Sequence, residues 1–335
     1  MAIRSFREAI NDALREEMQR DQRVFLIGED IAGGMGGHSE APGSSGGVLG
    51  VTKGLYTEFG PNRVIDTPIS ESAIMGAAAG AALAGMRPVA ELMFMDFFGV
   101  CFDQIYNQAA KFRYMFGGQA STPMVVRGMV GAGFGSAAQH SQALWPIFSH
   151  IPGLKVCLPS SPADAKGLMV SAIRDEDPVL FLEHKVLYDT KGEVPEGDYS
   201  IPLGIGQVTR EGSDVTVVAF GRMVLFANQI ADLLAGEISV EVIDPRTTSP
   251  LDTELIIESV ESTGRLVVVD EANPMCNLAS EVISVVATQA IGALKAAPVK
   301  ISAPHTPVPA APNLEKLYIP SPESIEEAVR RVFAA

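Results

Sequence analysis

Short apolar runs alternate along most of the chain with longer segments whose apolar residues recur every three or four positions. Val24-Phe-Leu-Ile27 is one such run, closed by Gly28-Glu-Asp30, and its lack of polar alternation predicts a strand buried on both faces. Ahead of it, Phe6, Ile10, Ala13, Leu14 and Met18 fall at helical spacing behind a Ser5/Glu8 capping box. The same alternation predicts strands over 63–66, 88–94, 124–127 and 179–183, with helices over 72–86, 97–116 and 163–174. Such a rhythm means a mostly parallel sheet covered by helices on both faces.

The rhythm lapses across 185–202, where Lys191-Gly-Glu-Val-Pro-Glu-Gly-Asp198 is polar and broken by proline and glycine, so a domain boundary is expected there. Beyond it, strands are predicted over 215–220, 240–243, 266–270 and 299–301, and helices over 224–234, 251–262, 278–291 and 322–333. The last helix has Ser321 as its cap and Pro322 in its first turn. The reading is therefore two doubly wound α/β domains, 1–190 and a smaller 203–335. The glycine-rich stretch 33–50 has no periodicity and predicts a long loop of the functional or mobile kind. The proline-rich piece 303–312 must be extended.

Charge narrows the possible partners. The 335 residues carry a net charge of −15, which excludes nucleic acid and anionic membrane and suits a basic protein instead. Cys101, Cys157 and Cys276 are far apart and in no metal-binding spacing; with an N-terminus lacking an apolar targeting core, they predict a cytoplasmic protein. The longest apolar run, 73–86, is too short to span a bilayer.

Several motif matches fail on context. Gly43-Ser-Ser-Gly-Gly47 has the letters of a nucleophile elbow without a strand before it. Gly133-Phe-Gly-Ser-Ala-Ala138 fits a loose dinucleotide fingerprint but lacks the acid expected about 20 residues on. The sequence has no phosphate-binding P-loop and no zinc spacing.

Two residues carry candidate chemistry. In Asp66-Thr-Pro-Ile-Ser-Glu71, Pro68 blocks an earlier helix start, Ser70 is a good cap, and Glu71 falls in the first turn of a helix built almost wholly of alanine and glycine. An acid there complements the helix dipole, which is one sufficient explanation. The other is that small neighbours bury it, raising its proton affinity against the pull of the helix terminus, a balance suited to proton transfer. His140, in Ala138-Gln-His-Ser-Gln142, follows a glycine loop and sits among polar residues; it reads either as a satisfied structural group or as a catalyst. His38 lies in the glycine-rich stretch, and His150, His184 and His305 have no local case. Phe94, Phe97, Phe98 and Phe102 read first as core packing.

Asp66-Thr-Pro-Ile-Ser-Glu71, Phe102-Asp-Gln104, Ala109-Ala-Lys-Phe-Arg-Tyr114, Ala138-Gln-His-Ser-Gln142 and Ile151-Pro-Gly-Leu-Lys155 together resemble the β subunits of thiamine-diphosphate-dependent 2-oxoacid dehydrogenases. The likeness continues through Asp244-Pro-Arg246, Asp270-Glu-Ala272 and Tyr318-Ile-Pro320. Glu91-Leu-Met-Phe94, Lys111–Gly118 and Ala303–Pro309 most resemble the acetoin-cleaving branch. The resemblance implies transketolase-like domains, an N-terminal one for the coenzyme's aminopyrimidine and a C-terminal one for subunit contacts. It implies Glu71 at a pyrimidine nitrogen, Met93 and Phe97 lining that pocket, and His140 as the active-site histidine. It further implies an α subunit that holds diphosphate and Mg²⁺, an α2β2 tetramer, and a lipoyl acyltransferase partner; no motif in this chain assigns it a metal of its own. The implied reaction is acetoin cleavage to acetaldehyde with acetyl transfer to lipoyl groups. Oxidative decarboxylation of pyruvate or a branched-chain oxoacid is the alternative, and a non-catalytic nucleotide- or flavin-binding module the remote one.

Overall fold

The computed structural model describes residues 1–33 and 46–335. His38 and most of the Gly43–Gly47 motif lie outside the described residues, as does much of the predicted 33–50 loop. The chain divides into two compact units, 1–130 with 147–203 and 131–146 with 204–335. The second unit thus takes in a segment that falls inside the sequence range drawn for the first domain.

The elements as far as residue 203 are β1 (Ala2–Ser5), α1 (Phe6–Arg20), β2 (Val24–Glu29), α2 (Leu55–Phe59), β3 (Val64–Thr67), α3 (Glu71–Leu83), β4 (Arg87–Phe94), α4 (Phe98–Asp103), α5 (Phe112–Met115), β5 (Val125–Val130), α6 (Trp145–Ser149), β6 (Lys155–Cys157), α7 (Pro162–Arg174), β7 (Val179–His184) and β8 (Lys191–Val194). The first unit's main sheet runs β6-β7-β5-β4-β2-β3, with every neighbouring pair parallel. Residues 24–28 and all of β5 and β7 are buried, as strands covered on both faces require. Helix α1 opens with the Ser5/Glu8 capping box and packs on α7, where buried Glu17 accepts from Arg174 at 2.6 Å.

Three local readings change. The polar run at 191 is strand β8, paired antiparallel with β1 from Ala2↔Val194 to Ser5↔Lys191, so this stretch belongs to the first unit. The helix expected over 97–116 is a 3₁₀ turn at Met95–Phe97, then α4, a π-helical turn at Gln104–Ala109, and α5. The wide turn keeps Phe98, Phe102 and Tyr106 in one aromatic row, with successive ring centroids 5.1 and 5.2 Å apart. Ser70 does not cap α3 through its side chain; its hydroxyl turns back to the Pro68 carbonyl at 2.9 Å.

The second unit contains β9 (Gln207–Arg210), β10 (Val215–Ala219), α8 (Met223–Leu233), β11 (Val240–Asp244), β12 (Thr247–Ser249), α9 (Thr253–Thr263), β13 (Leu266–Asp270), α10 (Leu278–Gln289), β14 (Val299–Ser302), α11 (Pro312–Tyr318) and α12 (Pro322–Ala334). Its sheet runs β14-β13-β10-β11-β9, parallel except for β9. Valines of β10, β11 and β13 form its core with α8 and α12. Both units therefore have the doubly wound α/β architecture that the sequence rhythm predicts. Among the described residues no helix is long and apolar enough to cross a membrane.

Candidate active site

In the first unit the chain leaves β2 toward β3 on one side and then returns to place β4 on the other. Ligands of open α/β sheets gather beyond the carboxyl ends of the strands at such a reversal. The residues there are Gly28 and Glu29 on β2, Asp66 on β3, Glu71 at the start of α3, and Glu91 to Phe94 on β4. Gly28 is needed because a Cβ at that position would lie 2.9 Å from the Glu91 Cβ.

Glu71 is half-buried and opens α3. It lies beside α4: the Ser72 hydroxyl donates to the Val100 carbonyl at 2.6 Å. Burial, then the charge of Glu71, pushes the neighbouring Cys101 thiol up to about 12. Small residues permit this approach, with Gly76 facing Gln104 across the two helices. Burial raises the proton affinity of Glu29, and the charges of Asp30, Glu71 and Asp66 raise it further. Glu29 thus feels the charges of three neighbouring acids, making this crevice one that repels anions.

Met93 and Phe97 lie at the same end of the sheet, by different surroundings. Phe97 packs edge-on against Phe94, with ring centroids 5.8 Å apart. Met93 lines a small cavity with Glu91, Arg127, Gly128 and Tyr188. The centre of that cavity wall is a charge network that the sequence reading missed. Arg127 Nε and Nη2 donate to the two oxygens of Glu183 at 2.7 and 2.6 Å, its Nη1 donates to Glu91, and the Tyr188 hydroxyl donates to Glu183 at 2.6 Å. The signal was available: an arginine inside Val125-Val-Arg-Gly-Met-Val130 cannot be buried without counter-ions. Burial lifts the Glu91 carboxyl above its ordinary range even though the Arg127 charge opposes this.

His140 belongs to the second unit, on the segment 131–146, and is half-buried. Gly131, Gly133, Gly135 and Ala137 all have positive φ, at 86°, 122°, 65° and 60°. Every second residue has positive φ, and the loop turns the amides of Ala132, Gly133 and Gly135 inward as an anion-binding concavity. Carboxylates of the chain itself fill it. Glu315 accepts from Gly133 and Gly135 at 2.7 and 2.9 Å, and Glu271 accepts from Ala132 at 2.7 Å. The loose dinucleotide fingerprint at 133–138 is thereby accounted for, since these amides already hold carboxylates. Among the described residues no group of His, Cys, Asp and Glu side chains could hold a metal ion.

Two doubly wound units, the first with a group of acids at its reversal point and the second with a histidine loop, define a protein of the transketolase class. The family model for the transketolase pyrimidine binding domain matches residues 4–191, and that for the transketolase C-terminal domain matches 204–325. The chain is 60% identical to an acetoin:2,6-dichlorophenolindophenol oxidoreductase subunit beta from Cupriavidus necator, over 98% of this chain and 96% of that protein. It is 54% identical to the Bacillus subtilis protein of the same name, over 96% and 94% of the two chains. It is 45% identical to a 2-oxoisovalerate dehydrogenase subunit beta from Bacillus subtilis, over 99% of each. A solved structure of a split gene transketolase, an inactive beta4 tetramer, superposes with a TM-score of 0.76 at 24% identity over 98% of both chains, which speaks for the fold. The chain belongs to this transketolase family, among the β subunits of acetoin and 2-oxoacid dehydrogenases.

Proposed function

We propose that this chain is the β subunit of a thiamine-diphosphate-dependent acetoin dehydrogenase. With an α subunit it cleaves acetoin to acetaldehyde and passes the acetyl unit to lipoyl groups of an acyltransferase. The observation that carries the coenzyme half of this reading is the reversal point of the first unit. It offers a half-buried carboxylate, Glu71, at the same end of the sheet as apolar Met93 and Phe97, together with further acids. That chemistry fits an aminopyrimidine, which accepts and donates protons. It does not fit a diphosphate, which Glu29, Asp30, Asp66 and Glu71 would repel. Diphosphate and Mg²⁺ therefore fall to the α subunit, and the site is complete only in an α2β2 assembly, with the C-terminal unit serving subunit contacts.

When bound, the coenzyme supplies a carbanion that adds to a substrate carbonyl. Glu71 holds and releases the proton at the pyrimidine nitrogen. Met93 and Phe97 flank the ring and exclude water. His140 takes the proton of the substrate hydroxyl as the carbon–carbon bond breaks. Acetoin is favoured over 2-oxoacids by identities of 60% and 54% to acetoin-named relatives, against 45% to the 2-oxoisovalerate relative. The unpaired cysteines fit a cytoplasmic setting. The test is to assay the α and β chains together with dichlorophenolindophenol as acceptor. Acetoin should be oxidised well above pyruvate and 2-oxoisovalerate; faster turnover of either oxoacid would overturn the substrate assignment.

A further inference from the structure

In the second unit the chain leaves β10 toward β11 and later places β13 on its other side, so the crevice beyond these strands is that unit's own reversal point. What lies there is the chain's own loop, 131–137. Glu271 follows directly on β13 and takes the Ala132 amide. Glu315 enters from α11, is buried, and bridges the amides of Gly133 and Gly135 with its two oxygens. Arg222, in the turn between β10 and α8, lies close enough to both carboxylates for their charges to oppose the effect of its burial. Ala132 packs in a small core with Ala303, Val308 and Tyr318. The far end of the same segment is fixed by Asp270, which accepts from the Trp145 indole nitrogen at 2.9 Å.

We propose that Glu315 and Glu271 are positioning residues for His140. The crevice where a doubly wound domain would bind a ligand is here used to grip the histidine-bearing loop by its backbone. The four positive-φ positions fold the loop around these two carboxylates, which hold residues 132–135 in place ahead of His140. This gives Asp270-Glu271 and the α11 segment a task that their distance in sequence from His140 conceals. Glu315 is the better probe, because its two oxygens serve two amides and glutamine can serve only one.

The inference rests on the role given to His140 above, so its test separates the two. In the assembled enzyme, Glu315→Gln should lower kcat about tenfold or more with little change in KM, as expected when a catalytic group is displaced by a fraction of an ångström to an ångström. Glu271→Gln, which breaks only one amide contact, should act in the same direction more weakly. In the full-length chain labelled at histidine, the His140 imidazole resonance, assigned by its loss in His140→Asn, should shift or broaden in Glu315→Gln. The other histidine resonances should stay in place. Adding Glu315→Gln to His140→Asn should bring no further loss of activity. An unmoved His140 resonance in folded Glu315→Gln would overturn the inference, as would a full additional loss in the double variant. Wild-type turnover in His140→Asn would instead overturn the role of His140 while leaving the resonance test of the grip intact.

Discussion

Replacing Arg127 with methionine removes a cation from a buried network while keeping the side chain's bulk. The Arg127, Glu91 and Glu183 side chains are 4%, 11% and 0% exposed, so neither carboxylate can turn to bulk water. Breaking a buried pair by removing one partner costs about 3–5 kcal/mol. At roughly 2–4 °C per kcal/mol for a unit of this size, the first unit should melt about 6–20 °C lower. The pH dependence has a definite sign. Without the guanidinium, the two carboxylates repel each other in a dry site, and the folded state binds a proton that the unfolded state has released. A group whose folded proton affinity is raised contributes stability at low pH that is lost as pH rises. The deficit of Arg127→Met should therefore be smaller at pH 5 than at pH 8, and Glu183→Gln added to it should recover part of the loss. Urea melts of both variants at the two pH values test this. A deficit below about 1 kcal/mol at pH 8, unchanged at pH 5, would refute the claim that these charges are buried and mutually dependent.

The Asp270 carboxyl is pushed up from 3.8 to about 6 by burial, against the pull of bonds from Ala272, Trp145 and Leu278. Between those pH values the folded chain keeps a proton that the unfolded chain gives up, so stability should fall by about 3 kcal/mol as pH rises through that window. Asp270→Asn should remove that slope from denaturation curves taken at stepped pH, and identical slopes in both proteins would contradict the assignment. Gly28→Ala forces a methyl to within 2.9 Å of the Glu91 Cβ and should destabilise the first unit by about 1–3 kcal/mol; a melt within a few tenths of a kcal/mol of wild type would show β2 and β4 to be further apart.

Much of the fold was legible because buried parallel strands leave uninterrupted apolar runs, as Val24–Ile27 and Val215–Phe220 do. The β1–β8 ribbon escaped because Lys191-Gly-Glu-Val194 carries no apolar pattern of its own; its partner, Ala2–Ser5, lies nearly the whole first domain away. The broken helix over 95–115 keeps a helical spacing of aromatics, so periodicity alone could not show the π-helical turn. Ser70 looked like a side-chain cap, yet its hydroxyl bonds locally to Pro68, a competition open to every serine near a helix start. Glu71 and His140 were conspicuous for their settings, an acid before a smooth helix and a histidine after a glycine loop. The carboxylates that hold Arg127 and the 131–137 loop were not, because Glu183, Glu271 and Glu315 lie far along the sequence from the groups they bond.

Proton exchange at the thiazolium carbon of thiamine diphosphate tests the central claim most directly. It should be followed by magnetic resonance in the assembled α and β chains carrying Glu71→Gln, with assembly checked by mass. Exchange should fall by about two orders of magnitude or more while the assembly and its bound coenzyme persist. Exchange at the wild-type rate in that assembly would remove Glu71 from the proton path and with it the reading of the first unit's crevice.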